Sequence, residues 1–212
     1  MGLDGLSART DYQVIDSTSC MVFMTAAQAD GPEGPVYTAR ITNGGSDWEL
    51  LPVVGRDDPE FFTIMPASIS LGDGRYLAAL RCAHDENDVA HHFIDLYASD
   101  DDCQTWRCVS RPAVDVGRGN PPAMIQLRDG RMAITYGDRR GPFRICGRVS
   151  DDTGATWGPE IVLRDDGGCH DLGYPRMVER ADGKLVTIYY FNTDLRGERT
   201  IDATIWDADE DA

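Results

Sequence analysis

The sequence has no apolar stretch long enough to cross a membrane, and it has little positive charge. Its 212 residues include 20 Lys and Arg against 36 Asp and Glu, so the net charge is −16. A membrane-spanning helix needs about 20 consecutive apolar residues, and nucleic acids and anionic membranes attract basic proteins. We therefore expect neither as a partner. Residues 1–10 lack the apolar core of a secretory signal, so we expect a cytoplasmic location unless further residues precede this N-terminus.

Metal-binding and redox spacings are also missing. The six cysteines follow no paired-ligand spacing, and the four histidines do not form a set. His91 and His92 are adjacent, so on a strand they would face opposite sides. We expect no metal and no cofactor. Cys103 and Cys108 flank a turn and could pair, but free thiols are the expectation for a cytosolic chain.

No segment shows helical periodicity, but one turn motif recurs. Residues 150–157 read SDDTGATW, residues 99–106 read SDDDCQTW, and residues 41–48 read ITNGGSDW. Ser and Asp side chains can bond backbone N–H groups in a turn, and Gly can adopt positive φ there. The tryptophans that close these copies lie 58 and 51 positions apart (106 − 48 and 157 − 106). A period of about 50 residues is typical of β-propeller blades.

A second short motif recurs with about the same period as the first. An Asp-Gly pair joins two apolar runs at residues 71–75, 127–131 and 180–184, and this pair is a strong hairpin signal. The two markers predict units of four strands, A to D, with Asp-Gly joining A to B and the longer turn joining C to D. The predicted strands include 66–71 and 76–82 in the second blade, 157–163 in the third, and 185–191 and 200–206 in the fourth. The predicted fold class is an all-β propeller in a single domain, 1–212, with blades at about 11–56, 57–115, 116–165 and 166–212.

The last predicted blade has no D strand, which leaves the closure of the propeller open. Four blades could close on themselves, or the chain could be the C-terminal portion of a six-blade design. Residues 14–16 are a candidate strand to complete the last blade. An open arc would expose a sheet edge and an apolar flank, so self-association into a homo-oligomer is expected.

Strand alternation predicts where a site should lie. The A–B and C–D turns fall on one face, and the other loops fall on the opposite face, where strands B end and strands A begin. Loops on one side of a rigid scaffold commonly carry function. The segments selected are 63–66, 81–84, 119–121, 136–140, 170–174 and 190–192.

These segments are rich in arginine, carboxylate and tyrosine. Arg81, Arg139 and Arg140 could bind an anionic ligand through the guanidinium fork, or each could pair with a neighbouring Asp. Asp138 and Asp171 could form an acid/base pair or serve as turn residues.

Three further residues complete the candidate site. Tyr174 could present a phenol to the axis of the propeller or pack in the core with its hydroxyl at the rim, and a nucleophilic role would require a nearby base. Asn120 and Tyr136 are further candidate substrate-binding residues.

The turns at 99–106 and 150–157 resemble the Asp-box, or bacterial neuraminidase repeat, of sialidases. The segments around them, at 63–66, 119–122, 136–139 and 171–175, also resemble a bacterial branch of sialidase-like proteins. The resemblance implies an exo-α-sialidase type of glycoside hydrolase that acts on a terminal acidic sugar. It implies that Arg81 and either Arg139 or Arg140 hold the sugar carboxylate and that Tyr174 is the nucleophile.

The chain departs from the sialidase pattern in two ways. The Glu that assists the nucleophile would fall at Met65 or Pro66, and neither can act as a base. The first arginine and the acid/base Asp belong to early blades, which we expect this chain to lack. Two alternatives therefore stay open: a non-catalytic carbohydrate-binding or assembly propeller, and a glycosidase of other specificity that uses Asp138 and Asp171.

Overall fold

A computed structural model describes residues 5–27, 34–55, 61–86, 89–194 and 197–209. The chain divides into two compact units. One unit comprises Met1–Ala90 and Asp95–Val109, and the other comprises His91–Ile94 and Ser110–Ala212. No helix among the described residues is long and apolar enough to span a membrane.

The first blade is a four-stranded antiparallel sheet with its strands in chain order. It comprises β1 (Leu6–Val14), β2 (Cys20–Ala26), β3 (Val36–Thr42) and β4 (Asp47–Val54). Strand β1 begins before the predicted residues 14–16, and Val14 pairs with Cys20. The N-terminal strand therefore opens the first blade rather than completing the last one. A register shift between Ser7 and Asp11 breaks the alternation by which a strand is recognised in sequence.

The second blade is also a four-stranded sheet in chain order. It comprises β5 (Phe61–Gly72), β6 (Arg75–Glu86), β7 (Val89–Ser99) and β8 (Arg107–Ala113). The predicted Asp-Gly turn joins β5 to β6 and pairs Gly72 with Arg75. Both strands extend beyond their predicted ends, toward the face selected for the site.

The third blade has four strands and the fourth has three. The third comprises β9 (Ala123–Gln126), β10 (Met132–Asp138), β11 (Phe143–Ser150) and β12 (Ile161–Gly167). The fourth comprises β13 (Gly173–Glu179), β14 (Leu185–Phe191) and β15 (Thr200–Trp206). Strand β12 begins four residues after the predicted start at Trp157, whose indole N–H instead donates to Ser110 Oγ at 3.1 Å. The predicted all-β class with four blades is confirmed.

The two best-preserved turn motifs have the same hydrogen-bond network. In the third blade Ser150 Oγ donates to Asp152 Oδ1 at 2.8 Å, and the Thr156 N–H donates to the same oxygen at 2.8 Å. In the second blade the equivalent Ser99 and Thr105 bonds to Asp101 measure 2.8 and 2.9 Å. A carboxylate that accepts several N–H and O–H bonds is stabilised in its ionised form. Accordingly, the backbone N–H of Thr156, followed by its hydroxyl, lowers the pKa of Asp152 to about 2.

The third and fourth blades bury an apolar cluster against each other. Ala133 and Leu185 are fully buried, and Met177 and Trp206 are each 6% exposed. Burying one large aliphatic side chain contributes roughly 1.5–3 kcal/mol. This cluster fixes β10 and β13 relative to each other, and the segments adjoining these strands carry most of the predicted site residues.

Candidate active site

The ends of the B strands are equivalent in sequence position. Arg81, Gly137 and Tyr190 each lie seven residues after the glycine of their Asp-Gly turn (Gly74, Gly130 and Gly183). Arg81 belongs to the first unit and the other two to the second. Tyr190 therefore occupies in the fourth blade the position that Arg81 occupies in the second.

Tyr174 lies at a bulge where β13 begins. Its φ is +50°, and it precedes Pro175, although a residue before proline favours extended backbone. The pairing of β13 with β14 shifts register between Gly173 and Arg176. The side chain of Tyr174 is 38% exposed. Backbone strain of this kind persists where surrounding contacts impose it and is common at functional sites.

Asn120 is the contact that holds the Tyr174 backbone. Its side chain is fully buried, and its Oδ1 accepts from the N–H groups of Gly137 at 3.1 Å and Tyr174 at 3.2 Å. Its Nδ2 donates to Leu172 O at 3.0 Å. These bonds tie the start of the third blade to the start of the fourth. The predicted role of Asn120 in substrate binding stays a prediction.

Asp171, Tyr190 and Arg139 form a hydrogen-bonded chain beside Tyr174. The Tyr190 hydroxyl donates to Asp171 Oδ1 at 2.8 Å and accepts from Arg139 Nη2 at 2.9 Å. The Tyr190 ring lies 5.8 Å from the Tyr174 ring, and the Arg139 guanidinium carbon lies 5.9 Å from the Tyr174 ring centre. Two of the predicted site arginines and tyrosines, Arg139 and Tyr174, are thus brought together with Asp171.

The ionisation of this chain follows from its contacts. The hydrogen bond from Tyr190, with a smaller contribution from Arg199, lowers the pKa of Asp171. Burial, opposed by Arg139, raises the pKa of Tyr190 to about 12. At neutral pH the site therefore holds a carboxylate and a neutral phenol.

Two further residues complete the surroundings of Asp171: Arg199, which the sequence analysis did not include, and Asn192, from the selected segment 190–192. Arg199 Nε donates to Asp171 Oδ2 at 2.9 Å, and Asn192 Nδ2 donates to the Asp171 backbone oxygen at 2.7 Å. The Asp171 side chain is 49% exposed. Solvent, and therefore a ligand, can reach this carboxylate.

Most of the N–H groups of the Arg139 guanidinium donate to atoms of the protein itself. Its Nε and Nη2 donate to Leu172 O at 3.1 and 3.0 Å, and its Nη1 donates to Gly119 O at 3.0 Å. Because Nη2 also donates to Tyr190, four of the five N–H donors of the guanidinium have partners. Arg139 therefore adds positive charge to the site while most of its donors face the protein.

Asp138 is the centre of a separate, buried ion cluster in the third blade. It is 1% exposed. Arg140 contacts both of its oxygens, at 2.9 and 3.0 Å, and Arg144 contacts Oδ2 at 2.6 Å. Burial alone would raise the pKa of Asp138, but the hydrogen bonds from the two arginines outweigh it and lower this pKa. The alternative in which Arg140 pairs with a neighbouring Asp is the one found.

Tyr136 lies on the same sheet face as Asp138 and belongs to the same network. Its hydroxyl donates to Glu160 Oε2 at 2.7 Å, and burial raises its pKa. Ligand atoms of Asp138, Cys146 and Glu160 lie within 4.8 Å of one another. Burial raises the pKa of the Cys146 thiol, and Arg144 contacts both carboxylates. A protonated thiol and an arginine between the carboxylates make this set unsuited to a metal ion.

Arg81 lies in the first unit, at the position equivalent to Tyr190. It is partly buried, and its Nη1 lies 3.6 Å from the sulfur of Met65. Met65 has φ of +55° before Pro66, the same conformation that Tyr174 has before Pro175. The second and fourth blades thus share, on strand A, a left-handed residue before proline at a shift of register, and of the two only the fourth has a tyrosine there.

The chain was compared with known proteins by sequence and by structure. No family model and no curated protein matches it. Solved structures do match. One is a protein of unknown function from Dyadobacter fermentans, with a TM-score of 0.73 at 25% identity over 92% of this chain and 52% of that one.

Two other similar structures are glycosidases. An α-L-arabinofuranosidase from Fusarium graminearum has a TM-score of 0.66 at 16% identity, covering 93% of this chain and 60% of its own. An α-L-arabinanase from Penicillium chrysogenum, complexed with arabinobiose, has a TM-score of 0.64 at 17% identity, covering 93% and 61%. At this identity the likeness is one of fold. The chain spans about half to three fifths of the length of these proteins.

Proposed function

We propose that this chain is a glycoside hydrolase of the propeller type and that it acts on a terminal acidic sugar at Tyr174 and Asp171. The observation that carries the proposal is the grouping of an exposed, conformationally strained tyrosine with a solvent-accessible ionised carboxylate and a second tyrosine ring. Aromatic rings offer the apolar faces of a sugar a surface, and a carboxylate can accept a proton or a hydroxyl hydrogen bond. The glycosidases that share the fold support a carbohydrate substrate.

The preference for an acidic sugar follows from local charge. The whole chain carries −16, yet Asp171 is flanked by two arginines, Arg139 and Arg199. This group of three therefore carries a net charge of +1. A local positive potential in an acidic protein favours an anionic ligand. The resemblance to sialidases points to the same chemical class.

In the proposed reaction Tyr174 attacks the anomeric carbon, and its phenol proton passes to a base. Asp171 is ionised and can accept that proton. The assignment of Arg81 and Arg140 to the sugar carboxylate stays a sequence-based prediction, and Arg140 is paired with Asp138. The bond from the anomeric carbon to the leaving oxygen breaks, and this oxygen takes up the proton that Asp171 received. Water then hydrolyses the bond between the sugar and Tyr174, which restores the phenol and releases the sugar.

The test is hydrolysis of a fluorogenic sialic acid glycoside by the purified chain, beside an α-L-arabinofuranoside. We expect release of the fluorophore from the sialoside, at least about a hundredfold slower in Tyr174→Phe, because covalent catalysis requires the hydroxyl. Thr193→Val, a loop variant outside the proposed reacting groups, is the control. Full activity of a folded Tyr174→Phe chain would remove Tyr174 from the mechanism.

A second candidate is a carbohydrate-binding propeller without turnover. Its support is specific: the contacts of Asp138 and Asp171 lower both pKa values, whereas a general acid needs a raised pKa. This observation also weighs against the third alternative, a glycosidase that uses these two carboxylates as its acid/base pair. Binding of sialic acid at Tyr174 without release of product over long incubation would select the binding candidate.

A further inference from the structure

The outward face of the fourth blade is almost entirely apolar. Strand alternation places nine side chains of β13–β15 on this face: Tyr174, Arg176, Val178, Val186, Ile188, Tyr190, Ile201, Ala203 and Ile205. Arg176 is the one charged residue among them. Ile201 is 75% exposed, Val178 is 59% exposed and Ile205 is 55% exposed. This surface is termed the blade 4 face.

The outward face of the first blade has the same character. Cross-strand pairing places eight side chains on it: Tyr12, Val14, Cys20, Val22, Ala39, Ile41, Trp48 and Leu50. None of these eight is charged. Val14 is 68% exposed, Tyr12 is 63% exposed and Trp48 is 50% exposed. This surface is termed the blade 1 face.

Exposed apolar side chains are concentrated on these two faces. Of the 14 large hydrophobic residues that are exposed in the described part of the chain, the blade 4 face carries five and the blade 1 face carries four. Contiguous apolar surface of this kind marks an interaction site in soluble proteins.

We propose that the two faces pair between copies of this chain, with the blade 4 face of one copy seated on the blade 1 face of the next. This is a heterologous contact, because two different surfaces meet. The pairing does not depend on the sugar chemistry proposed above.

The charge of the chain favours a second copy on these particular surfaces. Two molecules that each carry −16 repel wherever their acidic surfaces meet. The two faces carry between them one charge, that of Arg176, and this charge is positive. Contact there brings no acidic side chains of the facing strands together and removes apolar surface from water.

The size of the faces suits a weak contact. A seven-residue strand is about 23 Å long, and neighbouring strands are about 4.8 Å apart. Three strands thus present roughly 300 Å² of flat area, and the side chains that stand on it expose more. A stable interface buries about 800 Å² on each partner. One face falls short of this area, so we expect an association that dissociates on dilution.

The pairing has a consequence for the candidate site. Tyr174 and Tyr190 lie on the blade 4 face, and Tyr190 pairs directly with Ile201 across β14 and β15. A copy seated over Ile201 therefore borders the tyrosine site. In a single chain the tyrosine site is exposed to solvent on this side, and in the proposed contact the second copy would cover that side.

The test is sedimentation velocity of the full chain from about 1 to 100 μM. We expect a dimer that dissociates on dilution, and dissociation constants at least about tenfold weaker for Ile201→Asp and for Val14→Asp, because a charge would be desolvated in the contact. Val114→Asp is the matched control, since Val114 is 74% exposed and lies outside both faces. Circular dichroism checks the folding of each variant.

A compensating pair of charges tests the partner assignment. The double variant Ile201→Asp/Val14→Lys carries opposite charges on the two faces, and we expect it to associate more tightly than either single variant. A wild-type chain that is monomeric at 100 μM would overturn the proposal. So would equal weakening by Val114→Asp, or a dimer insensitive to Val14→Asp, which would indicate blade 4 faces pairing with each other.

Discussion

The hydroxyl of Tyr190 donates to Oδ1 of Asp171 at 2.8 Å, which couples the ionisation of a phenol to that of a carboxylate. Arg139 donates to the same phenol oxygen at 2.9 Å. The pair lies directly beside the exposed ring of Tyr174. These three side chains, together with Arg199 on the other oxygen of Asp171, therefore set the electrostatic state of the candidate site, and each can be changed separately.

The pKa of Tyr190 should fall when Asp171 is neutralised. Burial and the Asp171 charge raise this pKa to about 12, while Arg139 lowers it. In Asp171→Asn the negative charge is gone while Arg139 and Arg199 remain, so the phenolate becomes easier to form. NMR titration of chain labelled with ¹³C-tyrosine, assigned with Tyr190→Phe, measures the change. Asp166→Asn is the control, and an unchanged Tyr190 pKa in Asp171→Asn would contradict the coupling.

Neutralising Asp138 should destabilise the chain far more than neutralising an exposed aspartate. Asp138 is 1% exposed and bonded to two arginines, so Asp138→Asn removes the buried anion that these partly buried guanidinium groups share, at roughly 3–5 kcal/mol. Asp100 pairs with Arg107 at 3.2 Å on the surface, and Asp100→Asn should change the free energy of unfolding by less than about 1 kcal/mol. Urea unfolding measures both. Equal effects would show that burial of the cluster does not govern its energy.

Gly173→Ala should be strongly destabilising because the added methyl group would clash with the side chain of Asn120. A Cβ at Gly173 would lie 2.3 Å from Asn120 Nδ2, and its φ is +114°. Gly183 also has positive φ, +85°, but a Cβ there would meet nothing within 4 Å. Gly183→Ala should therefore cost about 1–2 kcal/mol for the left-handed backbone alone. Gly173→Ala should cost more because of the clash with Asn120. Thermal unfolding of the two variants tests the difference, and identical midpoints would exclude a tight Asn120 contact.

The turn motif of the third blade should lose its contribution to stability in acid. The pKa of Asp152 is about 2 in the folded chain, against about 3.9 for an unperturbed aspartate. Because the folded pKa is the lower one, the contribution is complete above the unfolded value and is lost as pH falls from about 4 to about 2. Asp152→Asn should flatten the acid limb of the stability curve in this window. Asp151→Asn, next to it and outside the network, should leave the curve unchanged.

The sequence predicted the blades well because their turns have a local chemical signature. Ser150, Asp152 and Thr156 form hydrogen bonds with one another within seven consecutive residues. The turn can therefore be recognised from its local sequence. The strands between such turns followed: Leu185–Phe191 and Thr200–Trp206 were predicted with the bounds observed. Of strand β1 only the last residue, Val14, fell within a predicted strand, because the bulge between Ser7 and Asp11 disrupts its alternation.

The location of the candidate site was predicted, but the hydrogen bonds between its residues were not. Strand alternation pointed to the segments that contain Asp171, Tyr174 and Tyr190, and these three residues do lie together. The bonds from Tyr190 and Arg199 to Asp171 join residues 19 and 28 positions apart, and no local pattern encodes such pairs. Tyr190 was recoverable, since it holds in the fourth blade the position that Arg81 holds in the second.

The most direct test of the central claim is whether an acidic sugar binds at Tyr174. Chain labelled with ¹³C-tyrosine would be titrated with N-acetylneuraminic acid, with arabinose as the neutral comparison. We predict that the ring signals of Tyr174 and Tyr190 shift together along one binding curve for the acidic sugar and that Tyr174→Ala abolishes the binding. Unchanged Tyr174 and Tyr190 signals at millimolar sugar, with the chain folded, would contradict the proposed site.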